Sequence, residues 1–518
     1  MLTIDLGTSG PKVSMFTLDG DHLDGEFSPV DLVLIGESGV EQRPDDWWAG
    51  IVGAAQRMWT RLAVDPSEVA AVSVTSQWSG TVPVDAEGRH LHDAIIWMDA
   101  RGAEATRRAV SSRLNVAGYD PRKLRQWISI TGGAPSHSGK DPLGHILWIE
   151  EHLPEVARAT ATYLEPKDYL NLRLTGRAVA TYDSIVLHWV TDNRDTSAIG
   201  YVDELIAAAG LDRSKLPDLI AATDIVGGVL PDVARELGIP AGTPVIGGTP
   251  DVQSATIGSG AVGDFEGHLY IGTSSWLTCH VPFKRTNLLN GVASLPSPLP
   301  GKYFVANEQE TAGKCLTWLR DQVLWPEDAL GGGPAPHDAL ARMDALAAKV
   351  PAGSNGVLFT PWLNGERTPV DDHTIRAGWH HLSLGNTRAD QVRAVLEGVA
   401  YNSRWLMGAV EKFVKRPFPW LNFIGGGANS ELWCQIHADV LGREIRQVDE
   451  PIRANARGAA LLAAVALGHV RADQIGTKVA ITRTYQPDPT TRALHDERFD
   501  QFCSLYKANK KVHAALAH

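Results

Sequence analysis

Apolar residues cluster in two short runs at the start of the chain, Leu2–Ile4 and Val13–Leu18, with Asp19-Gly20 as a turn signal behind them. The pattern predicts consecutive antiparallel strands, with Asp5-Leu6-Gly7-Thr8-Ser9-Gly10 between them. Past the middle, His268–Ile271 breaks at Gly272-Thr273-Ser274-Ser275 and resumes as Trp276–Val281. Strand, Gly-Thr-Ser turn, strand thus occurs twice. Just before the second copy, an apolar run ends in Gly247-Gly248-Thr249-Pro250 and delivers a lone carboxylate, Asp251.

The other segments arrange around that duplication. Spacing at three and four predicts helices over 45–62 and 390–414, with strands at 69–74, 421–424 and 444–448. The 69–74 strand ends in Thr75-Ser76-Gln77-Trp78-Ser79-Gly80, and a short strand and turn over 82–88 lead to Ala94–Arg101. Residues 101–180 read as mainly helical, and 181–240 as loops and short helices closing on Leu237–Gly242, a crossing between domains. Asn307–Lys314 opens a helix, 331–337 forms a surface loop, Phe359–Pro369 is strand then turn, and Ala454–Leu467 is a buried small-residue helix. Beyond about residue 485 the chain is polar and predicts a peripheral helix.

At 518 residues the chain is too long for a single core, so two domains are expected. The boundaries fall at 1–245 and 246–485, with 486–518 as a peripheral tail. A net charge of −12 argues against nucleic-acid binding, for which no basic surplus is available. Cys279, Cys315, Cys434 and Cys503 lie far apart and form neither a zinc pattern nor a disulfide framework, which fits a reducing compartment. A strand from residue 2 leaves no room for a secretory leader, and the longest apolar run is too short to span a bilayer; the cytoplasm and no membrane role are expected.

Several stretches carry candidate chemistry. Glycines in each Gly-Thr-Ser turn let N–H groups converge while the hydroxyls add donors, as a phosphate requires; a plain tight hairpin is the alternative. Trp78, Trp97 and Asp99 sit at strand ends, where side chains line clefts, or else serve as core and as a helix cap. Asp251 is a candidate general base or an ordinary helix-start carboxylate, and Asp5 a candidate Mg²⁺ ligand or a turn-stabilising residue. Gly133–Asp141 imitates a Walker A loop but has the wrong glycine spacing and Asp141 where Ser or Thr must stand. Gly425-Gly-Gly-Ala-Asn-Ser430, between a strand and a helix with Asp449-Glu450 following, nearly fits a dinucleotide fingerprint, so an NAD-dependent oxidoreductase is the rival class. The duplicated turns favour a nucleotide gripped from two sides, hence phosphoryl transfer, where positioning and charge neutralisation dominate.

In these residues the chain resembles the FGGY carbohydrate kinases of the hexokinase, actin and Hsp70 superfamily. The resemblance rests on Asp5–Gly10, Trp97-x-Asp99-x-Arg101, Pro166-Lys-Asp-Tyr-Leu170, Gly248-x-x-Asp251, Gly272-Thr-Ser, Glu366-Arg-Thr-Pro369 and the Gly425–Asp439 segment. It implies an α/β fold of two ribonuclease-H-like, actin-like ATPase domains, hinged about a cleft that holds ATP and a sugar or polyol. By analogy Asp251 is the general base, and Asp5 places Mg²⁺. Gly7, Thr8, Ser9 and Lys12 face the transferred phosphate, and Gly272 and Thr273 the other side of the phosphates. Gly313, Gly426, Gly427 and Asn429 line the adenosine pocket, while Gln77, Trp78 and Asp99 contact the sugar. The xylulokinases are the nearest subgroup, which implies a pentulose such as xylulose and allows a homodimer. The substrate loop departs from the pattern: Gln77-Trp78-Ser79-Gly80 replaces Gln-Met-His-Gly, which keeps glycerol, erythritol and ribulose kinases as alternatives. A sugar sensor without catalysis would be expected to lack the base, and Asp251 is present.

Overall fold

A computed structural model describes residues 1–330 and 333–517. Gly331 and Gly332 of the expected 331–337 loop, and the last residue of the expected tail, lie outside them.

Two sheets built on one plan organise the chain. In the first, Leu2–Gly7 pairs antiparallel with Gly10–Phe16, which pairs antiparallel with His22–Phe27. On its other side Leu2–Gly7 runs parallel to Val72–Ser76, then Pro244–Pro250 runs parallel again, and Ile225–Gly228 closes the edge antiparallel. The second sheet repeats this order. Gly267–Ile271 pairs antiparallel with Ser275–Val281 and parallel with Trp420–Ile424; Glu444–Val448 follows parallel and Ile481–Tyr485 antiparallel. The outer hairpin strands of this sheet are Tyr303–Ala306, Val292–Pro296 and Thr286–Asn287. Each Gly-Thr-Ser turn is therefore the tip of the hairpin beside its sheet's first parallel pair.

Buried Val, Ile and Leu fill both sheets, as expected of parallel strands covered on two faces. Helix Ala454–Ala466 follows a strand of the second sheet but lays Ala456, Ala460 and Ala463 on Phe16, Ala71 and Ile246 of the first. Its other face joins Ala255 and Ile257 of helix Asp251–Gly258. The two helices cross backbone to backbone: a Cβ on Gly258 would run into the Ala454 carbonyl, and one on Gly458 into that of Ser254. Small residues thus let one helix pair join the two sheets.

Two expectations need revision. Leu237–Gly242 is no crossing between halves; it joins helix Pro231–Leu237 to strand Pro244–Pro250 inside the first half. The Gly238-Ile-Pro-Ala-Gly242 turn reads like a linker in sequence, but pairing keeps its following strand in the first sheet. For the same reason the 245/246 boundary falls within a strand of that sheet. The C-terminal helix, Arg492–Leu516, buries Phe502 against Trp362 and Tyr401, with the Tyr401 hydroxyl 2.9 Å from His495 Nδ1.

Candidate active site

The first hairpin tip closes on the pair Gly7–Gly10, leaving Thr8 and Ser9 at the turn. Polar side chains clamp Thr8. Its hydroxyl donates to Gln77 Oε1 at 3.1 Å and accepts from Trp97 Nε1 at 2.9 Å. Gln42 Nε2 donates to the Thr8 carbonyl at 2.8 Å, and Gln77 Nε2 donates to Gln42 Oε1 at 2.8 Å. Ser9 is exposed. Strand pleating places Asp5 and Lys12 as cross-strand partners, with Nζ 3.2 Å from Oδ2. Above all the Asp5 charge holds the Lys12 ammonium above its usual range.

The second tip closes on Ile271–Ser275. Gly272 N–H donates to Ser274 O at 3.0 Å, Ala312 N–H to Thr273 O at 2.9 Å and Gly313 N–H to Gly272 O at 2.8 Å. The Gly426–Asn429 turn lies beside it, because Gly425 and Gly427 pack on Ile271. Gly272, Thr273, Gly313, Gly426 and Gly427 therefore form one wall, with Thr273, Gly426 and Asn429 exposed.

Asp251 links the two halves. The preceding strand loses register against Val72–Ser76 between Ile246 and Thr249, and Gly248 adopts φ 72° within this bulge. A Cβ there would strike the Val74 carbonyl, so the bulge requires glycine. Asp251 then opens its helix, partly buried, with Oδ1 accepting from Val252 N–H at 2.8 Å. Oδ2 has no protein partner among the described residues. Burial chiefly, then the Asp5 carboxylate and to a lesser degree Glu308, push the Asp251 pKa up to about 7, against the Val252 N–H and Lys12. Asp5, Lys12, Asp251 and Glu308 thus share one electrostatic site.

The acceptor-side residues divide. Trp78 donates its indole N–H to the Ser184 carbonyl at 2.9 Å, and its ring lies 6.2 Å from Phe304 of the second half. Gln77 spends both ends of its amide on Thr8 and Gln42. Asp99 is 1% exposed, and its carboxylate accepts from Val40 N–H, Arg101 N–H and Arg101 Nε at 2.8–2.9 Å. With Arg101 Nη2 a further 2.7 Å contact, these donors leave the Asp99 carboxylate no free face.

Sequence reasoning missed Glu308, Glu310 and Arg367. Arg367 pairs with both glutamates and places its guanidinium 5.8 Å from the Trp97 ring, reaching across to the first half. Their only signal was membership of the polar Asn307–Lys314 and Glu366–Pro369 segments. Among the described residues no cluster of three potential metal ligands occurs. The carboxylates of Asp5 and Asp251 are hard oxygen donors of the type Mg²⁺ takes one or two of when phosphates and water supply the rest.

The N-terminal domain model of the FGGY family of carbohydrate kinases matches residues 1–258, and the C-terminal one residues 268–467. The chain belongs to the FGGY family of carbohydrate kinases. It is 28% identical over its full length to a xylulose kinase of Staphylococcus epidermidis, covering 98% of that protein. It is 26% identical over 94% of its length to a gluconokinase of Bacillus subtilis, covering 91% of it. The fold agrees. A ligand-bound xylulose kinase from Lactobacillus acidophilus superposes with a TM-score of 0.85 at 21% identity, covering 99% of each chain. Plasmodium falciparum glycerol kinase with ADP superposes at 0.80 and 18% identity, covering 97% of each. As an FGGY carbohydrate kinase the protein uses ATP to phosphorylate a small sugar, on an actin-like two-sheet fold. Among the described residues no helix is long and apolar enough to cross a membrane.

Proposed function

We propose that the protein phosphorylates a hydroxyl of a pentulose, xylulose first, with Asp251 as general base. The observation that carries this reading is the carboxylate itself. Asp251 shares its electrostatic surroundings with Asp5 and Lys12 of the first hairpin and Glu308 of the second half, with one oxygen fixed by Val252 and the other unpaired, and its pKa is pushed up to about 7. Such a group is basic enough to take a hydroxyl proton and is substantially ionised at physiological pH. Lys12 and the Thr8–Ser9 tip offer donors to the transferred phosphate, and the Gly272–Thr273 tip offers them from the other half. Gly313, Gly426, Gly427 and Asn429 supply small, open surface suited to adenosine. Asp5 would hold Mg²⁺, which would supply the charge that neutralises the phosphates.

The acceptor lies against Trp78, with Gln77 and Asp99 acting mainly through the residues they hold. A pentulose is supported by several xylulose kinases among the relatives, at 25–28% identity over essentially the whole chain. Gluconokinases at 26% identity keep a sugar acid, and the bulkier Trp78 wall other ketoses and polyols, as the second reading. The two halves, 1–245 with the strand and helix that continue to Gly258, and 267–485, close on both substrates and exclude water. We place the reaction in the cytoplasm, where ATP is abundant and the free cysteines stay reduced.

The test is ADP release from ATP and Mg²⁺ across pentuloses, pentitols, tetritols, glycerol, hexuloses and gluconate. One strong pentulose acceptor is expected. A strong response to gluconate or glycerol alone would overturn the pentulose assignment while leaving the kinase intact.

A further inference from the structure

The Pro166–Leu170 segment takes no part in the site as described, yet it carries an ion pair sealed from solvent. Lys167 and Asp168 are both 0% exposed. Replacing a buried pair with apolar residues is often neutral or stabilising, so stability alone is a poor reason for one. What the pair holds is specific. Lys167 Nζ contacts Asp168 Oδ1 and donates to the Gly247 carbonyl at 2.9 Å. Asn171 Nδ2 donates to the same carbonyl at 2.8 Å. On the far side, the Ser184 hydroxyl donates to Asp168 Oδ2, and the Ser184 carbonyl is the acceptor for the Trp78 indole.

Gly247 is the first residue of the bulge that aims Asp251. Its N–H and that of Gly248 are fixed by the Asp224 and Ala222 carbonyls at 2.8 and 3.0 Å, and the Thr249 hydroxyl binds Asp183. A bulge re-aims the side chains that follow it, and in a strand a shift of one residue reverses faces. An unbroken chain of polar contacts therefore runs from the acceptor wall at Trp78, through Ser184, Asp168 and Lys167, to the bulge four residues before the base.

We propose that Lys167 and Asp168 are positioning residues, which lock the Gly247–Gly248 bulge and so register Asp251 against the wall formed by Trp78. The proposal rests on Asp251 being the base. It assigns the pair no contact with substrate or ATP.

Lys167→Met keeps the aliphatic stem and removes the ammonium. A base misplaced by about 1 Å costs about 10²-fold in rate, so kcat is expected to fall by about that factor, with the Kd for ATP unchanged. The decisive readout is a cycle with Asp251→Ala: with the base absent, Lys167→Met should lower kcat little further. Asn171→Leu carries the test if Lys167→Met fails to fold. Asn171 Oδ1 already lacks a partner, so this variant removes only the second donor to Gly247. It should lose about tenfold in kcat and little in the Asp251→Ala background. Wild-type kcat in both variants overturns the proposal, as does an equal loss with and without Asp251. A wild-type rate in Asp251→Ala alone overturns it at its foundation, and that outcome is visible before any Lys167 variant is made.

Discussion

Replacing Asp251 by Asn removes a charge from the cleft while keeping the side chain's shape, and the structure sets both the sign and the size of the effect on stability. Burial, Asp5 and Glu308 raise the folded pKa from 3.8 to about 7. A carboxyl that holds its proton more tightly when folded leaves stability intact below its unfolded pKa. That stability is then lost as pH rises towards the folded pKa. Three pKa units at 1.36 kcal/mol each set a ceiling of about 4 kcal/mol above about pH 7. The neutral Asn escapes that penalty. Without nucleotide, its Tm should rise by up to about 4 °C at about pH 8, at about 2.1 cal/mol/K of unfolding entropy per residue over the whole chain, and by less than half of that at about pH 5. Comparing variant and wild type at each pH cancels the other titrating groups. Thermal unfolding followed by tryptophan fluorescence reads the shift directly. An equal rise at both pH values, or a lower Tm at the higher one, would refute the electrostatic account of the site.

Three other outcomes follow from the same geometry. The acid limb of the kcat/KM–pH profile should lie near pH 7, because the free enzyme's base must be deprotonated, and Glu308→Gln should move it down; a limb that stays in place would remove Glu308 from the site. Trp78→Met should change the order of preference among sugars more than the KM for ATP, since the indole lines the acceptor side; an unchanged order would make Trp78 a packing residue only. Gly248→Ala should cost about 3 kcal/mol in urea unfolding and depress kcat, because φ 72° and the Val74 carbonyl both oppose a Cβ.

The features legible in the sequence were those that repeat or punctuate. The Gly-Thr-Ser turns stood out because glycine and hydroxyls interrupt strands in the same way twice, and the sheets follow the same order around them. Asp251 stood out because glycine, proline and an acid end an apolar run. The register shift before it was not legible, since Gly247-Gly248 has many conformations and pairing with Val72–Ser76 selects one. Nor was the Arg367–Trp97 contact, which joins residues 270 apart in sequence across the two halves. Asp99 shows the limit from the other side: its motif points to the sugar, while Arg101 two residues on, as the helix-cap alternative expects, and Val40 from a distant strand occupy the carboxylate.

The central claim is that Asp251 takes the acceptor's proton. The measurement that tests it most directly is the single-turnover rate of phosphate transfer from ATP to the best acceptor, wild type against Asp251→Ala, with ATP binding measured in parallel. Loss of a positioned base should lower that rate by about 10²–10⁴-fold with ATP still bound. A variant that transfers phosphate at the wild-type rate would contradict the account.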